Sequence, residues 1–229
     1  MRVLRTAAIV AVAALVFPLL VTTSLRIVLQ DWIVHVEYAV GRVPDDRYGF
    51  TEDERTDLAL TGLDAITPGT PGVSLLRDAR LPGGDPAFTE PEIVHMQDVR
   101  DLVGTLLAFQ LWAAVAVAVA ALALAVHPTT RTIVPRGLRY GVLASVPVAA
   151  VVGLFMLVTW DSFFTRFHEV FFEGDTWRFP VTDTLIRLYP DEFWMGVAAW
   201  IAGLTVVLAA LVWVLAGVWL RRVERSVAR

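Results

Sequence analysis

A chain of 229 residues with 56% hydrophobic content, a mean hydropathy of +0.62 and a formal net charge of −4 is too apolar for an ordinary soluble domain, and its apolar residues come in blocks. The sequence has no cysteine, which excludes disulfides, thiolate metal sites and thiol nucleophiles, and its five serines form no Gly-x-Ser-x-Gly or Ser-x-x-Lys pattern. Its 23 acidic residues outnumber 19 basic ones, all of them arginine, so a nucleic-acid partner is not expected.

Residues 6–25 are the first block that approaches the ~20 residues needed to cross a hydrocarbon core about 30 Å thick. Arg2 and Arg5 give it the basic start of a signal peptide. The block is nevertheless longer than a signal core of about 7–15 residues and lacks a small-x-small exit, so a retained span is expected. Residues 26–40 continue it as a partly apolar segment with Trp32 and Tyr38, suited to the membrane interface. Thr51 and Glu54 have the spacing of a capping box, and Leu58, Leu60, Leu63 and Ile66 supply one apolar face to the short helix it starts. Residues 67–88, rich in Pro and Gly (TPGTPG, LPGGDP), read as turns with a short strand at 73–76. A second capping box, Thr89 with Glu92 and with Pro91 in the first turn, starts a helix predicted to run unbroken into the second span at 102–126.

The third span is expected at 138–160. On a helical wheel of the residues after it, Phe163, Phe164, Phe167, His168, Phe171 and Phe172 share one half, while Thr165, Arg166, Glu169, Val170 and Glu173 fall in the other with Ser162. An interfacial amphipathic helix fits that division, with His168 on its aromatic face. Residues 175–190 read as irregular with a short helix at 184–188, and Pro190 precedes the last span at 193–220. The expected fold is an all-α membrane protein: a single integral membrane domain, 1–229, with four transmembrane helices and two outer loops, 26–101 and 161–192, carrying short interfacial helices.

Sidedness follows from the arginines, because cytoplasmic segments keep an excess of basic residues. Arg2 and Arg5, then Arg131, Arg136 and Arg139, then Arg221, Arg222, Arg225 and Arg229 face one acid, Glu224. The other acids lie in the remaining two connections. Both termini are therefore expected in the cytoplasm and both long loops outside.

Among the histidines, His127 ends the second span and His35 sits in the interfacial segment, and both have ready structural explanations. His95 and Asp98 are three apart on one helix, which places a carboxylate beside an imidazole, the arrangement that fixes a tautomer in a general base. The same spacing also arises as an ordinary local hydrogen bond. His168 on an aromatic face can equally bond a neighbouring carbonyl. Both histidines lie at the outer mouth of their helices, so they are taken together as candidates. A zinc site would need a third ligand, such as Asp98 or Asp175, and has no supporting spacing.

The segments HMQDV at 95–99, GFTEDER at 49–55 and FHEVFFEGDTWRFP with LIRLYPDEFW within 167–194 resemble the lipoprotein intramolecular transacylase family of small bacterial membrane proteins. The resemblance implies transfer of the sn-2 acyl chain of a diacylglyceryl-modified lipoprotein onto the amino group of its own N-terminal cysteine, at the outer face of the bacterial cell membrane. It places the two essential histidines at His95 and His168. In that reading His168 is the base for the substrate amine, and His95, oriented by Asp98, protonates the leaving glycerol oxygen or stabilises the oxyanion. Arg166, Phe171, Asp175, Trp177 and Arg178 are substrate-contact candidates from type and location. No cofactor and no metal are expected, and membrane lipids are the other partners. The rival classes are a non-catalytic lipid-binding or accessory protein and a metal-dependent membrane hydrolase.

Overall fold

The computed structural model describes residues 2–40, 43–127 and 129–225. Among them the chain forms helices α1 (Arg2–Val28), α2 (Trp32–Ala39), α3 (Glu52–Ile66), α4 (Ser74–Asp78), α5 (Glu90–Ala125), α6 (Ile133–Val158), α7 (Trp160–Phe171), α8 (Thr184–Leu188) and α9 (Asp191–Arg225). Four of these, α1, α5, α6 and α9, are long and apolar enough to cross a membrane. They contain the blocks expected at 6–25 and 193–220 and overlap the other two, which were placed slightly too long: α5 ends at Ala125 instead of 126, and α6 ends at Val158, with Trp160 already in α7. The only β-type pairing among the described residues is an isolated antiparallel bridge between Arg80 and Pro86.

The chain divides into two compact units. The first comprises Met1–Leu25, Leu107–Val158 and Ile201–Arg229. Val16, Leu20 and Val142 form its core, with Leu138, Leu208, Val212 and Trp213 packed against them. Small residues let α1 and α6 approach: a β-carbon at Gly137 would meet Val12 Cβ at 2.7 Å, and one at Gly141 would overlap the Val16 side chain. Polar side chains bond within the unit, Ser24 Oγ with Thr205 Oγ1 at 3.0 Å and Gln110 Nε2 donating to Thr23 Oγ1 at 2.9 Å. Thr22 Oγ1 donates to the carbonyl of Pro18, inside α1, at 2.7 Å. Leu111, Leu154 and Leu211 remain exposed, as residues facing lipid do.

The second unit comprises Arg26–Leu106 and Thr159–Trp200. α3 begins with the predicted capping box: Glu54 N donates to Thr51 Oγ1, and Thr51 N donates to Glu54 Oε2. The box at Thr89 is only half made. Thr89 N donates to Glu92 Oε2 at 2.7 Å, but the Thr89 hydroxyl also donates to that oxygen, at 2.8 Å, instead of accepting from the helix. The strand expected at 73–76 is the start of α4 instead. Gly72, at φ +81°, turns the chain, Val73 is already helical, and one turn buries Leu76. An apolar run this short carries no period by which to tell strand from helix.

Arginines tie the loops of this unit together. Arg100 NH1 donates to the carbonyls of Ala65 at 2.8 Å and Thr67 at 2.9 Å, pinning the Pro/Gly turns to α5. Arg55 donates to the carbonyls of Pro44 and Arg187 at 2.8 and 2.9 Å. Arg187 forks onto Asp46, Nε to Oδ1 at 3.0 Å and NH2 to Oδ2 at 2.9 Å. Tyr38 and Tyr189 donate their hydroxyls to the carbonyls of Leu188 and Ala59.

Candidate active site

α7 presents His168 by a local device. The residue one turn earlier is Phe164, and His168 Nδ1 lies 2.8 Å from its carbonyl oxygen. A carbonyl only accepts, so Nδ1 carries the proton and Nε2 of the neutral ring keeps its lone pair. Among the described residues Nε2 has no hydrogen-bond partner. Four aromatic rings surround the imidazole. Trp177 stacks on it at 4.6 Å between centroids and 29° between planes, Phe164 lies at 4.1 Å, Phe172 at 5.5 Å and Phe167 edge-on at 5.6 Å. Burial among them pushes the His168 pKa below the ordinary histidine value, and the hydrogen bond to Phe164 offsets part of that shift.

His95 enters from α5. Its ring stacks against that of His168, with centroids 6.2 Å apart and planes at 29°. Phe172 and Phe179 cover its other sides at 5.0 and 5.6 Å. Only 8% of His95 is exposed, and its Nδ1 is buried with no partner among the described residues. Asp98, expected beside it, is exposed and makes no hydrogen bond to the imidazole. The ring turns into the aromatic cluster, and a carboxylate following it there would lose its hydration.

Glu92, one turn before His95, is fully buried. Besides Thr89, it accepts the backbone N–H of Leu185 at 2.7 Å, while Thr184 Oγ1 donates to the carbonyl of Ala87 at 2.5 Å. These bonds fasten the start of α5 to α8. The part played by Glu92 beyond its cap, and Phe179 as a wall, were not read from sequence; the position of an acid among apolar residues was the only signal for the first.

The remaining candidates lie around the cluster. Trp177 is 9% exposed and its Nε1 has no acceptor among the described residues. Arg178 lies 4.8 Å over the Trp177 ring and pairs with Asp175 at 3.4 Å, both being exposed. Arg166 pairs with Glu169 at 2.8 Å on the solvated side of α7. Phe171 is partly exposed against Phe167, 4.9 Å away, and Val170 beside them is exposed as well. His35 and His127 are both exposed, and His35 makes no ring contact with His95 or His168. Among the described residues no three His, Asp or Glu side chains converge to hold a metal.

The sequence matches the model of the family described as lipoprotein intramolecular transacylase Lit over residues 8–194. The chain belongs to the lipoprotein intramolecular transacylase family. It is therefore an acyltransferase, and its four long apolar helices make it a multi-pass membrane protein. An uncharacterized protein of Aquifex aeolicus (strain VF5) is 28% identical over 203 residues, covering 88% of this chain and 89% of its own. Among solved structures, the membrane integral lipoprotein intramolecular transacylase of Bacillus cereus superimposes with a TM-score of 0.79 at 16% identity, covering 98% of this chain and all of the other. A form of that protein with one histidine mutated to alanine gives a TM-score of 0.73 at 17% identity, covering 97% of this chain and 96% of the other. At these identities the superposition speaks for the shared fold alone, over nearly the whole length of this chain.

Proposed function

We propose that this family member transfers the sn-2 acyl chain of a diacylglyceryl-modified lipoprotein to the α-amine of the substrate's own N-terminal cysteine, leaving a lyso-form lipoprotein, with His168 and His95 moving the protons. The observation that carries this reading is the stacked pair of imidazoles, 6.2 Å apart and walled by aromatic rings, with Nε2 of His168 held free by the bond from Nδ1 to Phe164.

An α-amine with an ordinary pKa of about 7.7–8.0 is largely ammonium at neutral pH and cannot attack an ester until a base takes its proton. His168 supplies that base at Nε2, and its lowered pKa keeps it neutral and ready. His95 delivers a proton to the departing glycerol oxygen. Nucleophile and ester belong to one molecule, so no acyl-enzyme is required. The aromatic walls fold the headgroup so that the two ends meet, and proximity supplies much of the acceleration. Each proton transfer contributes about 10² to 10⁴-fold. Asp98, exposed and away from the ring, has no part in this scheme. The exposed Phe167, Val170 and Phe171 of α7 give the site an apolar rim for membrane lipid and for the acyl chains of the substrate. The arginine-rich segments face the cytoplasm, so both termini lie inside and the two histidines work on the outer face.

The test is mass spectrometry of the N-terminal lipopeptide of a reporter lipoprotein in cells that lack other N-acylating enzymes. Wild type should yield the N-acyl lyso form, and folded His95→Ala and His168→Ala should leave the diacylglyceryl form with a free amine. A free amine in every strain would overturn the assignment and favour a non-catalytic lipid-binding role.

A further inference from the structure

We infer that the indole Nε1–H of Trp177 is the donor that receives the ester oxyanion, an assignment that rests on the acyl-transfer reading above. Indole is a donor only, and a buried donor left unmade costs about 1–3 kcal/mol. Trp177 is 9% exposed, and its Nε1–H is buried without an acceptor among the described residues. Its ring is stacked on that of the proposed base, His168, at 4.6 Å. The ester carbon attacked by an amine held at His168 Nε2 lies about 3–3.5 Å from that amine, which brings its oxygen beside the neighbouring indole.

Other donors fit less well. Arg178 and Arg166 have side chains 57% and 75% exposed and are already paired with Asp175 and Glu169. Trp160 also has a buried Nε1 without an acceptor, but its ring contacts are with Phe163 and Phe164 and not with either histidine. Arg178, lying 4.8 Å over the indole of Trp177, adds positive charge next to the ring that has to meet an anion.

In the step itself the amine nitrogen bonds to the sn-2 carbonyl carbon as His168 Nε2 takes one of its protons. The carbonyl π pair moves onto oxygen, and Trp177 Nε1–H bonds to the resulting oxyanion. Collapse restores the carbonyl and breaks the bond to the glycerol oxygen, which keeps the electron pair and takes up the proton that left the amine, passed on through the imidazole pair, so that both histidines end neutral. Amide and alcohol form with no outside reactant.

The experiment is single-turnover acyl transfer on a synthetic diacylglyceryl lipopeptide by the purified full chain, comparing wild type, Trp177→Phe and Trp160→Phe. Loss of one oxyanion donor should lower the rate of the chemical step about 10² to 10³-fold with substrate affinity little changed. Trp160→Phe should stay close to wild type. Should Trp177→Phe fold poorly, 3-benzothienylalanine at position 177 keeps the shape of indole without its N–H and should show the same loss. An active wild type with either position-177 variant folded and transferring at the wild-type rate overturns the donor, as does an equal loss in Trp160→Phe. An inactive wild type would instead mean that the acyl-transfer reading itself has failed.

Discussion

His168 Nδ1 lies 2.8 Å from the backbone carbonyl oxygen of Phe164, one helical turn before it. That bond needs nothing from outside α7. A side chain four residues after a helical carbonyl can reach back over the same turn, so the helix fixes both the tautomer and the direction of the ring before any tertiary contact forms. Tertiary packing then adds Trp177 and Phe172 over its faces.

Burial lowers the His168 pKa below its ordinary value of about 6.5, so the ring stays neutral to more acid pH than a solvated histidine. The folded state thus binds fewer protons here than the unfolded one, and the associated stability, complete well above about 6.5, falls as the pH drops through that value toward the folded pKa. Diethyl pyrocarbonate reacts with neutral imidazole. Its rate of modification at His168, followed by peptide mass spectrometry across a pH series, should show a midpoint below about 6.5. A midpoint above that value would contradict the burial argument.

Glu92 sets where His95 stands. Its carboxylate accepts two hydrogen bonds from Thr89 and one from Leu185, all 2.7 to 2.8 Å long. Glu92→Ala leaves those donors unpaired in a buried place and should cost about 2–5 kcal/mol, with Glu92→Gln, which still presents one oxygen, losing less. Melting of the detergent-solubilised protein checks the order, and an alanine variant as stable as wild type would remove Glu92 from this role.

The parts of this fold that depend on local pattern were legible in the sequence. Four apolar runs gave four long helices, Thr51 and Glu54 made their capping box, and the wheel over residues 163–172 put Phe164, His168 and Phe172 on one aromatic half together with Phe167 and Phe171, which stay exposed. The resemblance in the motifs brought His95 and His168 together before any contact was known, and Trp177 was a candidate from its type and location alone. What stayed hidden depends on partners far along the chain. Arg187 and Asp46 are 141 residues apart and Leu185 and Glu92 are 93 apart, and nothing in the neighbourhood of either residue names the other. Asp98 illustrates the converse: i,i+3 spacing makes a pair possible, but the His95 ring gains more by packing on Phe172 and Phe179.

Asp46 and Arg187 form a forked ion pair whose side chains are 2% and 11% exposed. The Arg187 hydrogen bonds hold the Asp46 carboxyl far below the ordinary carboxylate range, against the opposing effect of burial. Phe50 lies under the guanidinium, 3.5 Å from its carbon to the ring centre. Asp46→Asn leaves a buried cation without its counter-charge and should destabilise the protein by about 3–5 kcal/mol. Because the folded pKa is depressed, the pair's contribution is complete above about 3.9 and disappears only as the pH falls from there toward the folded value. Asp46→Asn should therefore lower the melting temperature at neutral pH, with the difference from wild type shrinking in strong acid. A neutral-pH loss under about 1 kcal/mol would show the pair to be incidental.

The absence of cysteine from the sequence makes the proposed orientation directly testable. Asp53, in α3, and Thr129, between α5 and α6, are both exposed, and the proposed orientation expects the first to be labelled from outside and the second from the cytoplasm. Asp53→Cys should react with a membrane-impermeant maleimide on intact cells, or on spheroplasts where an outer barrier intervenes. Thr129→Cys should react only after the membrane is permeabilised. The reverse pattern would invert the protein, put His95 and His168 in the cytoplasm, and separate them from a lipoprotein whose modified cysteine lies at the outer face.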